Sequence, residues 1–210
     1  MTFRDKVIRS LDSLRLTITN DQGKEIAYLE LVSRDDLNNE ELIEKVTLWR
    51  ELNKTCFLTE FVPTIERTKT WLEKSIVDNP ERILFKIFTL DNILVGHIGA
   101  IFRGTYIEYD YYILGIKVDI KHFAITIARF FLLWLLEIEN VSYVLGNVRS
   151  DNVHAMDFHI RTGFRVNRQV PLARIESQDN EVAFKEVTNE SDASLYLVEI
   201  RATKSDLGGP

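Results

Sequence analysis

Residues 141–166 read VSYVLGNVRSDNVHAMDFHIRTGFRV, and this stretch decides the fold. It opens on apolar Val141, Tyr143, Val144 and Leu145, a short strand pattern, and then reaches Ser150, Asp151 and Asn152. Side chains of these three types accept hydrogen bonds from the orphan N–H groups of a helix start, so a helix begins here. Gly163 stops it at the position after the last turn, where a left-handed residue is wanted. Phe164 and Val166 then resume an apolar alternation. The spacing predicts a strand, a short helix and a second strand with little slack between them.

Working upstream, residues 122–138 (HFAITIARFFLLWLLEI) are apolar apart from a narrow stripe of His122, Thr126, Arg129 and Glu137. A helix apolar around most of its circumference is a buried one. Before it come residues 83–90 (ILFKIFTL), 93–102 (ILVGHIGAIF) and 106–116 (YIEYDYYILGI), rich in β-branched and aromatic types and joined at Asp91-Asn92 and Gly104-Thr105. These read as three antiparallel strands with short turns. The buried helix then crosses over to the strand at Val141, which makes the strands at its two ends parallel. In the third strand, alternation puts Glu108, Asp110 and Tyr112 on one face and Ile107, Tyr109, Tyr111 and Ile113 on the other.

Residues 1–25 read as a short helix or a hairpin around Asp21-Gln22-Gly23, and residues 26–32 (IAYLELV) as a strand. Ser33 and Asp36 form a capping-box-like pair ahead of a helix whose apolar face carries Leu42, Val46 and Trp49. Residues 53–61 read as loop, and Pro63 and Thr64 open a second helix with Ile65, Trp71, Leu72 and Ile76, ending before Pro80. Downstream, residues 164–175 resume strand character, 176–194 read as a long loop or hairpin end, 195–200 (LYLVEI) as a last strand, and 204–210 as a disordered tail. The expected architecture is one α+β domain over residues 1–203, a single mixed, mostly antiparallel sheet flanked by helices.

Composition narrows the function classes. The chain has 210 residues, 45% of them apolar and 28% charged, a net charge of −6 and one cysteine. An acidic balance argues against nucleic acid as a partner, because phosphate binding needs clustered Lys and Arg. A lone Cys56 forms no internal disulfide and no cysteine zinc cluster, and reads as a buried thiol. No metal site is expected. The most apolar stretch, residues 123–136, is interrupted by Arg129 and is shorter than the roughly 20 residues of a membrane span. A cytoplasmic protein without membrane partners is expected.

Asn152, Ala155, Phe158, Gly163 and Phe164 match the pattern N-x-x-A-x-x-(L/F)-Y-x-x-x-G-F. On these residues the chain resembles the GNAT N-acetyltransferases, with His159 standing where the family has tyrosine. The resemblance implies a GNAT fold, acetyl-CoA as cosubstrate and transfer of its acetyl group to an amine. It also implies that the strand before the buried helix and the strand after it splay apart, receiving the pantetheine arm on their free backbone edges. The pyrophosphate would then lie at the buried helix's N-terminus, where unpaired N–H groups and the helix dipole favour an anion.

Carried over residue by residue, the phosphate loop (R/Q)-x-x-G-x-(G/A) falls on Lys121, His122, Phe123, Ala124, Ile125 and Thr126, after Ile116. Lys121 keeps a positive charge, while Phe123 and Thr126 are expected to crowd the phosphates. Asn152 is both a helix cap and a candidate coenzyme contact. Acyl transfer needs a base for the attacking ammonium and an acid for the leaving thiolate. Glu108 and Asp110 are the candidate bases, and His159 the candidate acid. Trp49, Glu60 and Tyr112 are the candidate acceptor-binding residues.

The run W-R…N…F…P-T-x-E-x-T-x-x-W-L from Trp49 to Leu72 resembles the GNAT branch acting on nucleotide-linked amino sugars and ribosomal protein N-termini. The expected partner is thus a small-molecule amine or a protein N-terminus, with a homodimer as the candidate assembly. The alternative is a catalytically degenerate GNAT-fold binding or regulatory domain.

Overall fold

A computed structural model describes residues 1–176 and 181–209. Residues 177–180 of the acidic stretch, and Pro210, lie outside the described residues. The first 25 residues hold both a helix and the first strand of a hairpin. Helix α1 (Phe3–Ser10) starts on a Thr2/Asp5 capping box and buries Phe3 and Val7. Strands β1 (Arg15–Thr19) and β2 (Glu25–Leu31) pair antiparallel. Ser33 N–H does donate to Asp36 Oδ2 at 2.9 Å, but that closes a 3-10 turn. The cap of helix α2 (Glu40–Leu52) is Asn39, which accepts from the Leu42 N–H at 3.1 Å.

After the two-residue strand β3 (Thr59–Glu60), helix α3 (Ile65–Trp71) begins on Thr64 as expected and runs into a π-helical turn, Leu72–Val77. The antiparallel meander follows: β4 (Arg82–Thr89), β5 (Leu94–Phe102) and β6 (Ile107–Leu114). Helix α4 (Phe123–Glu139) crosses to β7 (Tyr143–Arg149), and α5 (Val153–Thr162) leads to β8 (Arg165–Glu176). Strands β9 (Val182–Glu186) and β10 (Leu195–Thr203) are the last described strands.

The ten described strands form one sheet in the order β1-β2-β4-β5-β6-β7-β10-β8-β9-β3. β6 and β7 are its parallel pair, as the crossover requires, and the other pairings are antiparallel. β10, last in sequence, lies between β7 and β8.

Each face of the sheet carries its own core. On one, α1 and α4 bury Phe3, Val7, Ile127, Phe131 and Leu135 against Phe85, Ile98 and Ile107, with α5 packed at the edge. On the other, α2 and the α3 segment bury Leu42, Val46, Trp49, Leu72 and Ile76 against Leu84, Leu94 and Ile113. Residues 204–209 are not a disordered tail. Leu207 is 2% exposed in the first core, and Asp206 accepts from the Thr203 hydroxyl at 2.7 Å. An apolar side chain with core to fill holds this segment down. Among the described residues, no helix is long and apolar enough to cross a membrane.

Candidate functional site: a cleft where two strands part

β6 and β7 are paired only over Ile107–Val144, Glu108–Leu145 and Tyr109–Gly146. Beyond Tyr109 the rest of β6 pairs with β5, and beyond Gly146 the rest of β7 pairs with β10. Two backbone edges therefore face one another without a strand between them. Between them opens a cavity of about 510 Å³, lined by Asp110, Tyr112, Asn147, Asn152, Phe158 and His159 among others. Free strand edges bind an extended chain through main-chain hydrogen bonds.

A bulge shapes the β6 wall. Register slips between His97 and Gly99 of β5, and Tyr111 takes φ +54°. The extra residue reverses the alternation. Tyr112 is accordingly not on the face of Glu108 and Asp110: it packs with Tyr109 and Phe158, and its hydroxyl donates to the Ala124 carbonyl at 3.0 Å. Tyr111 takes the place expected of Tyr112, beside Asp110 and against Trp71.

The two candidate bases separate. Glu108 is held by Arg103 at 2.5 Å and does not line the cleft. Asp110 does line it, and accepts from the Tyr111 N–H at 2.9 Å. Burial pushes its carboxyl up to about 6, although the nearby Arg82 works in the opposite direction. Such a carboxylate is ionised at neutral pH and still basic enough to take a proton.

On the opposite side of the sheet stands the N-terminus of α4. His122 adopts φ +60° and supplies no side-chain cap. Among the described residues, the amides of Ala124 and Ile125 find no acceptor, while Thr126 N–H bonds the His122 carbonyl. Phe123 does not crowd this end, because it turns inward and is 3% exposed in the core. Lys121, His122 and Ile116 are exposed around it; Ala124 faces the cleft, and His122, Ile125 and Thr126 line a neighbouring cavity. Lys121, Ala124 and Ile125 thus offer one charge and two N–H groups to an anion.

Asn152 caps α5, accepting from the Ala155 N–H at 3.1 Å, and Gly163 ends the helix at φ +121°. His159 points from α5 into the cleft region with its ring 5.5 Å from that of Tyr109. Burial pulls its pKa down to about 4, so the imidazole is neutral near pH 7. Among the described residues, His159 Nδ1 and the Tyr109 hydroxyl are both buried without a hydrogen-bond partner. Orphaned polar atoms lining a cleft mark where a ligand's polar atom belongs.

The remaining acceptor candidates fall elsewhere. Trp49 is 3% exposed and fills the core under β6, its indole so close to Gly115 that a Cβ there would stand 1.8 Å from Nε1. Glu60 is taken by Arg149 at 2.7 Å, which also holds Asp151 and the Phe57 carbonyl. Cys56 is exposed rather than buried and lines the cleft with Asn53 and Phe57. Tyr109 and Asn147 were missed from sequence. For Asn147 the signal was a polar residue within an apolar strand; Tyr109 lies between Glu108 and Asp110 in the sequence, but alternation sets it on the apolar face.

The parallel pair opening into a cleft, the β6 bulge and the helix N-terminus beside it belong to a fold that the chain shares with solved GNAT-family acetyltransferase structures. Similar solved structures include the spermidine N-acetyltransferase of Vibrio cholerae in complex with CoA and spermine, with a TM-score of 0.62 at 15% identity over 94% of this chain and 100% of that one. A GNAT-family acetyltransferase from Bacillus anthracis gives a TM-score of 0.61 at 14% identity over 90% of this chain and 99% of that one. A dodecameric structure of the Vibrio cholerae enzyme gives 0.56 at 13% identity over 92% of this chain and 96% of that one. No family model and no curated protein matches the sequence.

Proposed function

We propose that the protein is an N-acyltransferase that moves an acetyl group from acetyl-CoA to the primary amine of a small molecule or a protein N-terminus. The observation that carries this reading is Asp110: a carboxylate with its pKa raised to about 6, lining the cleft where β6 and β7 part. The fold's likeness to a spermidine N-acetyltransferase bound to CoA supports both the donor and an amine acceptor.

The donor's pantetheine arm would lie along the free edges of β6 and β7, with its phosphates near Lys121 and the amides of Ala124 and Ile125. Asp110 takes the proton of the acceptor's ammonium, freeing the lone pair that attacks the thioester carbonyl. Tyr109 O–H and the neutral His159 N–H are the donors on the leaving sulfur's side; a hydrogen bond from either stabilises the departing thiolate, which takes up the second proton that the nitrogen sheds on becoming an amide.

Titration calorimetry with acetyl-CoA, followed by thiol release in the presence of a primary-amine panel, tests this. Micromolar binding and amine-dependent release are expected, with Lys121→Glu weakening binding by about tenfold, a loss of ~1.4 kcal/mol. Absence of binding would end the reading. The neutral His159 in the tyrosine position favours a second reading, a domain that binds coenzyme without turnover; binding without thiol release would establish that one.

A further inference from the structure

Beside the cleft, on the α2–α3 face of the sheet, a second cavity of about 550 Å³ is lined by Arg50, Phe61, Glu66, Arg67, Trp71 and Lys74, among others. Cations and rings alternate along it. Arg67 lies 4.8 Å from the Phe61 ring, Arg50 lies 4.9 Å from that ring, and Arg50 again 4.6 Å from the Trp71 ring. Trp71 then meets Tyr111 edge to face, with centroids 5.0 Å apart, and Tyr111 adjoins Asp110 in the cleft.

Of the three cations lining it, two have carboxylate partners, and Glu66, also in the lining, has no cation within 4 Å among the described residues. Arg67 is paired with Glu181 at 2.7 Å, and Lys74 with Asp78 at 3.3 Å and Glu73 at 3.5 Å. Arg50 has no carboxylate within 4 Å among the described residues, Glu66 included, and its side-chain contact is one N–H to Thr68 Oγ1 at 3.2 Å. Burial lowers its pKa to about 10, with the nearby Tyr111 opposing the shift and Arg67 adding to it. A guanidinium offers five donors in a planar fork that fits carboxylate and phosphate. Most of that fork is open at Arg50, stiffened by the rings that stack on it.

On the acyl-transfer reading above, we infer that this cavity holds an anionic group, a carboxylate or a phosphate, carried by the acceptor whose amine reaches Asp110. The two ends of the acceptor are separated by the Trp71 and Tyr111 rings, and Arg50 sets specificity at the far end. A polyamine would instead bring a cation against Arg50, so the pocket discriminates against polycationic acceptors.

The test titrates the full-length protein with methyl phosphate and, separately, succinate, following the Trp71 indole resonance. One of the two is expected to shift it saturably, and which one does so separates a phosphate acceptor from a carboxylate acceptor. Arg50→Met should weaken that binding by about tenfold or more, with acetyl-CoA affinity unchanged. Arg50→Lys keeps the charge without the fork and should fall between. Neither anion moving Trp71, or equal affinity in both variants and the parent, would overturn the inference, as would tighter binding of spermidine than of either anion at this pocket. The anion titration needs no acetyl-CoA, so failure of the acyl-transfer reading would register in a different experiment.

Discussion

His97 Nδ1 lies 2.6 Å from the carbonyl oxygen of Tyr111. His97 is 2% exposed, and burial lowers its pKa to about 4, so the neutral ring donates Nδ1–H to that carbonyl. The bond spans the slip in register between β5 and β6 and holds the bulge that sets Asp110 and Tyr111 side by side. His97 is thereby a positioning residue, reaching the site through backbone alone. His97→Leu is expected to reduce kcat by about tenfold with acetyl-CoA affinity unaltered. Equal losses in both would mean that the substitution damages the fold as a whole.

Asp110 makes a prediction about pH. Activity should rise as pH climbs through about 6, where the carboxyl ionises. Asp110→Asn should cost on the order of 10²–10³ in kcat and remove that limb of the profile. The same group weakens the fold. Its folded pKa stands above the ordinary 3.8, so the folded state binds the proton more tightly and stability is lost as pH rises from about 3.8 to 6. Asp110→Asn should therefore melt higher than the parent at pH 8, an advantage that disappears at pH 3.5 or so. Equal melting temperatures at pH 8 would show that Asp110 is solvated.

The two buried histidines act in the opposite sense. Both His97 and His159 have folded pKa values of about 4 against an ordinary 6.5. A depressed histidine leaves stability intact above the unfolded value, and stability is lost as pH falls toward the folded one. Between those limits each imidazole contributes a slope of up to about 1.4 kcal/mol per pH unit. Urea unfolding at pH 7, 6 and 5 should show the decline, and His159→Phe should make it shallower. A slope unchanged by that substitution would place His159 in water. If His159 also hydrogen-bonds the leaving sulfur, the same variant should turn over more slowly without loss of coenzyme affinity.

Gly115 is required by a close approach. A Cβ there would meet the Trp49 indole at 1.8 Å, so Gly115→Ala must displace a ring that is 3% exposed. Overpacking of this kind costs about 1–3 kcal/mol, which chemical denaturation would register as a lower midpoint. Gly104, with open space around it, is a poor comparison because its φ of +81° itself disfavours alanine.

What the sequence made legible follows from short-range physics. The Asn152 cap, the Gly163 stop, the buried α4 and the meander before it all depend on side chains a few residues apart, and the structure has each of them. What it concealed depends on tertiary geometry. Alternation along β6 assumes an unbroken pleat, and a tyrosine at φ +54° gives no composition signal that the pleat reverses. Phe123 looks like an obstruction in a phosphate loop until the helix turns it into the core. Glu60 reads as a free carboxylate in a loop because its partner, Arg149, is 89 residues away. Trp49 reads as core sooner than as acceptor wall, and its contact with the neighbouring Gly115 bears the core reading out.

The place of β10 between β7 and β8 bears on how the protein is made. Among the described residues, one wall of the cleft, β7, gets its strand pairing beyond Gly146 from β10 alone. During synthesis, β6, α4, β7 and α5 all emerge while that support is still missing. A nascent chain holding every residue that lines the cleft therefore has an unsupported wall, and pairings so distant in sequence form slowly. Binding competence should arrive in one late step, when the last strand threads in. A ligand of the cleft would then act on the finished protein as a stabiliser and have no hold on the growing chain.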